Sequence, residues 1–331
     1  MAMCGLDPRR STAENYRAFS REASGRSPAY ESLAASVAGD DLVLSFLAAL
    51  PRPKRQPNLL FAAATYLLGA APDLGTLQTL IRQHEAELAG VMLARRTQTN
   101  EPARCATLLP ALAALPGPLA LIEVGASAGL TLLFDRYSYD YDGHLLAGSD
   151  PDAPTLHCAM RGPVPLPARL PVIAWRAGLD LNPLDVTRDD DVRWLSCLLW
   201  PGESGRAARL AAAIAAARRD PPPVHRGDLR TDLPALAAQA PAEATLVIYH
   251  SAVLGYVAPA DRERFAQVVG GLAAVWLANE APGVIPGLTL TGVPPPGVPE
   301  SAFVLSQGGQ TPLALTDGHG TWLQWLAGPG L

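Results

Sequence analysis

The stretch Leu119 to Leu130 carries an apolar run into Glu123 and then continues as Gly125-Ala126-Ser127-Ala128-Gly129. An acid followed by alternating small residues can serve two chemistries. Glycines admit positive φ and let a ligand lie close to the backbone. A helix opening at Leu130 would add free N–H groups and a positive dipole end. Centred on Ser127, the same letters spell the G-x-S-x-G of a nucleophile elbow, where the serine attacks a carbonyl carbon. The dinucleotide fingerprint G-x-G-x-x-G fits less well, because Ser127 stands at its second glycine. A tight turn without chemistry would use these residues too.

Other residues that could do chemistry lie downstream. Asp180 and Asp228 each follow a short apolar segment, Tyr249-His250-Ser251 ends another, and Glu280 a fourth. If these segments are parallel strands, their carboxyl ends gather at one edge, where open α/β sheets bind ligands. The order then suits a nucleoside: a glycine turn, an acid for ribose hydroxyls, an acid for an adenine amine, and a reactive position. Carboxylates fit the first two tasks because each accepts two hydrogen bonds. His250 is the candidate base, with Ser251 beside it, and Tyr249 could face a cation through its ring. Upstream, Gln98, Asn100, Glu101 and Arg104 form a polar island. They could be a solvated turn capping the helix that Pro102 begins. Their mixed donors and acceptors also suit a zwitterionic amino-acid group.

The elements that must position these residues follow from pattern. Ser11 and Glu14 form a capping box, and Ser27-Pro28 an N-cap and N1 pair. Helical periodicity continues through 42–50, 58–68 and 74–95, and no period-two alternation precedes Leu119. Pro116-Gly117-Pro118 marks a boundary. This predicts an all-α domain over 1–116 and an α/β domain over 117–331. In the second, Tyr137 to Arg161 reads as a β-hairpin excursion with Asp142-Gly143 at its turn. Strands at 172–175, 224–228, 245–249 and 275–280, segments near Leu288 and Leu313, and helices at 206–219 and 259–274 complete the chain. The predicted fold is a Rossmann-like, doubly wound, mostly parallel sheet.

Composition narrows the function. The chain has 331 residues, 49% hydrophobic and 17% charged, so it buries a sizeable core. A net charge of -5 without a basic block gives no case for nucleic acid. No apolar run reaches membrane-spanning length and 1–10 lack a signal-peptide core, so a cytoplasmic protein is expected. Cys4, Cys105, Cys158 and Cys197 are far apart, and the six histidines lack ligand spacing, so no metal is expected. Lys54 is the only lysine, which excludes a P-loop lysine and a Schiff-base lysine. The hydrolase reading keeps the order Ser127, Asp317, His319 of the α/β-hydrolases. That fold, however, needs strands ahead of its elbow, where this chain has helices, and no HGGG-type segment precedes Ser127.

Glu123-Val-Gly-Ala-Ser-Ala-Gly129 also looks like the first motif of class I S-adenosylmethionine-dependent methyltransferases, and Gly178-Leu-Asp180-Leu-Asn-Pro183 like their second. The acid normally follows the glycine turn by about 20 residues. Here the excursion lengthens that interval, which keeps Asp135 and Asp140 as reserves. Together with Arg96-Thr-Gln98-Thr-Asn100-Glu101-Pro-Ala-Arg104, Arg176 to Asp185, Arg193-Trp-Leu195, Trp200-Pro201 and Gly318-His319-Gly320, these segments resemble the bacterial domain of unknown function 2332 family over nearly the whole chain. The resemblance implies a methyltransferase-like domain behind a helical one, S-adenosylmethionine as cofactor, and a site that includes the polar island. The expectation is methyl transfer to a small molecule, with no nucleic-acid or membrane partner and a homodimer as the candidate assembly. Alternatives are cyclisation of the cofactor's own amino-acid chain with release of methylthioadenosine, a serine hydrolase at Ser127, and a non-catalytic S-adenosylmethionine or nucleotide-binding module.

Overall fold

Side-chain caps start most of the N-terminal helices. Ser11 Oγ accepts from the Glu14 N–H at 3.2 Å, and Glu14 Oε2 accepts from the Ser11 N–H at 2.7 Å. Ser27 caps the helix that Pro28 begins, and Asp40 and Asp73 cap the third and fifth. The computed structural model of the chain describes residues 10–290 and 297–326. Its first helices are α1 (Thr12–Ala23), α2 (Pro28–Val37), α3 (Asp41–Ala49), α4 (Pro57–Leu68), α5 (Leu74–Ala94) and α6 (Arg104–Ala113). Then come β1 (Leu119–Val124), β2 (Ser138–Tyr141), β3 (His144–Leu146), β4 (Thr155–His157), β5 (Ala159–Met160) and β6 (Ile173–Asp180). After them come α7 (Asp189–Cys197), α8 (Ser204–Arg219), β7 (Val224–Arg226), α9 (Leu233–Ala237), β8 (Thr245–Ser251), α10 (Pro259–Gly270) and β9 (Val275–Glu280). The chain closes with β10 (Phe303–Gln307), β11 (Thr311–Thr316) and β12 (Trp322–Trp325).

The described residues form two compact units: 10–99 with 188–208, and 100–187 with 209–290 and 297–326. The segment from Asn100 and helix α6 thus group with the sheet, and the proline turn at 116–118 joins two elements inside that unit. In the helical unit, Tyr16, Phe19 and Tyr30 surround Phe61 at centroid distances of 6.0, 5.8 and 4.9 Å. Trp200 packs on Phe19 and donates its Nε1–H to Asn58 Oδ1 at 2.8 Å. Arg95 pairs with Asp190 and Asp191 on α7, and Trp194 donates to the Arg96 carbonyl. Helix α5 is not continuous as its pattern predicts: His84 leaves the helical region with φ -137 and ψ 35.

The other unit holds a nine-stranded sheet in the order β5-β12-β11-β10-β9-β8-β1-β6-β7. From β9 to β7 neighbouring strands run parallel, while β10, β11 and β12 follow antiparallel. The sheet is therefore mixed. Strands β10, β11 and β12 are joined by short turns, which return the chain antiparallel, whereas parallel neighbours need long crossovers. Strands β10 and β12 have no counterpart among the predicted segments. No strand lies at Leu288, and residues 291–296 fall outside the described part, as does Cys4.

Two expectations about the chain after β1 are corrected. The helix expected from Leu130 is a single 3-10 turn, Leu130–Leu132. The carbonyls that helix would bond internally are taken by side chains. Tyr137 Oη donates to Leu130 O at 2.7 Å, Tyr249 Oη to Thr131 O at 3.0 Å, Arg176 Nη1 to Leu132 O at 2.8 Å and Tyr139 Oη to Phe134 O at 2.7 Å. The hairpin excursion is a separate three-stranded sheet, β3-β2-β4, from which β5 departs to pair with β12. Its turn is as the sequence reads: Asp142 and Gly143 both have positive φ, 50 and 95, matching a type I′ turn. The alternating Tyr137, Tyr139 and Tyr141 are all fully buried, which explains their spacing.

Candidate active site at the carboxyl edge of the sheet

Strand β1 is buried along its whole length and ends next to β6 on one side and β8 on the other. Glu123 sits at that end, in register with Gly178 and Tyr249. It is 5% exposed; Oε1 is hydrogen-bonded to the Thr131 hydroxyl, and Oε2 is buried with no partner. Burial pushes its pKa up to about 8 against the pull of the Thr131 bond and Arg104, with Asp180 adding repulsion. The carboxyl is therefore mostly protonated at neutral pH.

The glycine turn follows. Gly125, Ser127 and Gly129 all have positive φ, 72, 54 and 71. For Ser127 this left-handed conformation carries strain. Asp180 stabilises it: Oδ2 accepts from the Ser127 N–H at 2.8 Å and Oδ1 from the Asn182 N–H at 2.7 Å. The predicted ribose acid thus also joins the ends of β1 and β6. A Cβ on Gly129 would come within 2.8 Å of Pro222 and 2.9 Å of Val224, so this glycine is needed for close packing. Ala126 is fully buried. The reserve acids are occupied elsewhere. Asp135 forms a two-pronged pair with Arg176 at 2.8 and 2.7 Å, and Asp140 serves the hairpin turn and His157. Asp228, after β7, pairs with Arg230, which also reaches Asp261 at 2.9 Å; the Arg230 hydrogen bond holds the Asp228 carboxyl below its usual range.

Strand β8 ends in the three residues expected to be catalytic. His250 is fully buried, with Nδ1 2.7 Å from Glu280 Oε1 and Nε2 accepting from Trp276 Nε1 at 3.0 Å. Indole N–H can only donate, so Nε2 is the bare nitrogen and Nδ1 carries the proton. Both ring nitrogens are engaged, and the base role expected for His250 has no support in this geometry. Tyr249 donates to Thr131 O and packs edge-on against Phe134, so its ring is part of the core. Ser251 is linked outward: Asn279 Nδ2 donates to its Oγ at 3.1 Å, and Thr316 Oγ1 donates to Asn279 Oδ1 at 2.7 Å. Asn279, Thr316, Trp276 and the receptor role of Glu280 escape sequence reasoning. Only the pairing of β8 with β9, of β9 with β10 and of β10 with β11 brings them together.

Three members of the polar island reach this edge. Asn100 Oδ1 accepts from the Leu130 N–H at 2.8 Å, and Glu101 Oε1 accepts from Arg209 Nε at 2.7 Å. Arg104 donates from Nη1 to Ser251 O at 3.1 Å and from Nε to Gly318 O at 2.9 Å. All three are buried. The turn they meet is tight: a Cβ on Gly320 would lie 2.2 Å from Ala103 O, so only glycine fits there. Gln98 groups with the helical unit. Among the described residues, no cluster of His, Cys, Asp or Glu could hold a metal ion. Cys105, Cys158 and Cys197 are buried free thiols, and no single described helix is long and apolar enough to cross a membrane.

Comparison with known proteins gives one match. Residues 13–325 fit the family described as an uncharacterized protein conserved in bacteria, DUF2332. No curated protein and no solved structure matches the chain.

Proposed function

From the premise that the chain belongs to the bacterial DUF2332 family, we propose that it is an S-adenosylmethionine-dependent enzyme that methylates a small molecule at the carboxyl edge of its sheet. The observation that carries this reading is the Glu123 carboxyl. A buried polar atom without a partner is uncommon and calls for an explanation. Here it lies at the end of the middle strand of β7-β6-β1-β8-β9, where order reverses between β1 and β8, the place at which open α/β sheets take ligands. That strand order supports a Rossmann-like reading of the parallel half. The missing helix after β1 and the antiparallel strands beyond β9 are departures from it.

The cofactor, when bound, supplies an activated methyl group whose carbon–sulfur bond breaks as the acceptor attacks. The chain's own part is to position and to desolvate. Glu123 suits the ligand's cationic ammonium: a positive donor at Oε2 would favour the ionised carboxylate and release its proton. Asp180 and the Ser127 turn suit a ribose, and Ser251, tied to Asn279 and Arg104, borders the acceptor side. Binding measured by calorimetry should give micromolar affinity for S-adenosylmethionine or its demethylated product, with proton release near pH 7. Heat with NAD and none with either ligand would sink the proposal. Mass spectrometry after incubation with S-adenosylmethionine alone separates methyl transfer from cyclisation, because only the latter yields methylthioadenosine without an acceptor.

The left-handed φ of Ser127 favours a second reading, since a nucleophile elbow imposes that strain. The elbow also needs a following helix, and a 3-10 turn stands there. A fluorophosphonate probe should leave the native protein unlabelled. Stoichiometric labelling lost in Ser127→Ala would establish the hydrolase instead.

A further inference from the structure

Residues 253–257, which follow β8, are under side-chain control from two directions. Glu280 Oε1 accepts from the Val253 N–H at 2.8 Å and the Leu254 N–H at 3.0 Å, in addition to His250. Arg262 on α10 donates from Nε to Val257 O at 2.8 Å and from Nη2 to Gly255 O at 3.5 Å. A carboxylate therefore gathers the amides of this segment and a guanidinium its carbonyls. Between β8 and the segment, Ala252 has a φ of 63, a left-handed backbone in a non-glycine residue, and donates to Asn279 O at 3.1 Å.

This bracing sets Val253 against the glycine turn. A Cβ on Gly125 would lie 2.5 Å from Val253 Cγ2 and 2.8 Å from Cγ1. The backbone face that glycine leaves open is thus filled by an isopropyl group of the same chain. A ligand lying on Gly125 and this valine compete for one space.

We propose that Val253 controls access to the Gly125 turn, moving aside when a ligand occupies it, and that Glu280 and Arg262 are the positioning residues that hold it closed. The inference rests on the cofactor reading above. The closed arrangement lowers apparent affinity by the fraction of molecules that are open, so trimming the valine raises affinity without adding a contact.

The test uses the full chain and S-adenosylhomocysteine in calorimetry. Val253→Ala should bind about tenfold tighter than the native protein, whereas Val253→Ile, which keeps the cover, should stay within about twofold. Hydrogen exchange on the native protein should show the Val253 and Leu254 amides exchanging faster with ligand than without it. Val253→Ala that loses stability while its affinity is unchanged or weaker makes the valine a packing residue and overturns the inference alone. No heat with the native protein or with Val253→Ala overturns the cofactor reading, and this inference with it.

Discussion

The core of the helical unit and the carboxyl edge of the sheet are both buried, but by different means. Around Phe61 the contacts are aromatic rings, within a unit whose buried residues are mostly apolar. Of the buried polar and charged residues described, only Asn15 and Ser27 belong to this unit; the rest, from Asn100 to Thr316, lie in the sheet unit. Apolar burial gains roughly in proportion to area and asks little of direction. A buried polar group contributes only when its partner stands at the right distance and angle, and is costly when it does not. The first region is robust wherever volume is kept. The second is specific, and at the Oε2 atoms of Glu123 and Glu280 it is incomplete, as the first is at the Tyr16 hydroxyl.

Four substitutions test that contrast, in falling order of effect. Phe61→Ala removes the ring on which three others pack. It should cost about 3 to 5 kcal/mol in denaturant titration, at a similar level across pH. A loss under about 1 kcal/mol would show that the aromatic core is not the source of the unit's stability.

Glu123→Gln probes the incomplete side. The folded pKa of about 8 lies above the unfolded value of 4.5, so the native state holds a proton that the unfolded chain releases. Stability from this group is full below pH 4.5 and is lost as pH rises through about 8. The glutamine variant should lack that decline and gain on the native protein by about 3 to 4 kcal/mol between pH 5 and 9. Parallel stability–pH curves for the two proteins would mean that Glu123 ionises freely.

Arg104→Ala breaks two hydrogen bonds at once and leaves the carbonyls of Ser251 and Gly318 short of a donor. The expected cost to the unliganded protein is about 2 to 3 kcal/mol. This differs from both readings of the sequence, a solvated turn and a group that serves only a ligand. A normal melting temperature with weakened ligand affinity would return the island to that role. The smallest effect belongs to Ser11→Ala, which loses a surface cap and should cost about 1 kcal/mol with no change at the sheet edge.

How much was legible follows the same division. The caps at Ser11 and Ser27 are local rules and appear in the structure where the sequence places them, and Asp40 and Asp73, not singled out from the sequence, follow the same rule. So does the Asp142-Gly143 turn, because positive φ at both positions selects those residues. The glycine turn after β1 was visible, but its continuation was not. Leu130 to Phe134 has helical composition, yet tyrosines 137, 139 and 249 and Arg176 bind its carbonyls from outside. His250 was visible as a strand-end histidine; that both its nitrogens are occupied depends on residues 26 and 30 positions away.

The sequence by itself determined the elements governed by neighbours in the chain: capped helices, the apolar strand β1, the turns that need glycine, and membership of one bacterial family. Tertiary structure decided which polar groups meet. Strand order set β9 beside β8 and so brought Glu280 and Trp276 to His250, and it set β6 beside β1 and so brought Asp180 to Ser127. Hydrogen bonds act over about 3 Å and depend on angle. Sequence distance carries no information about that geometry until the sheet register is in place.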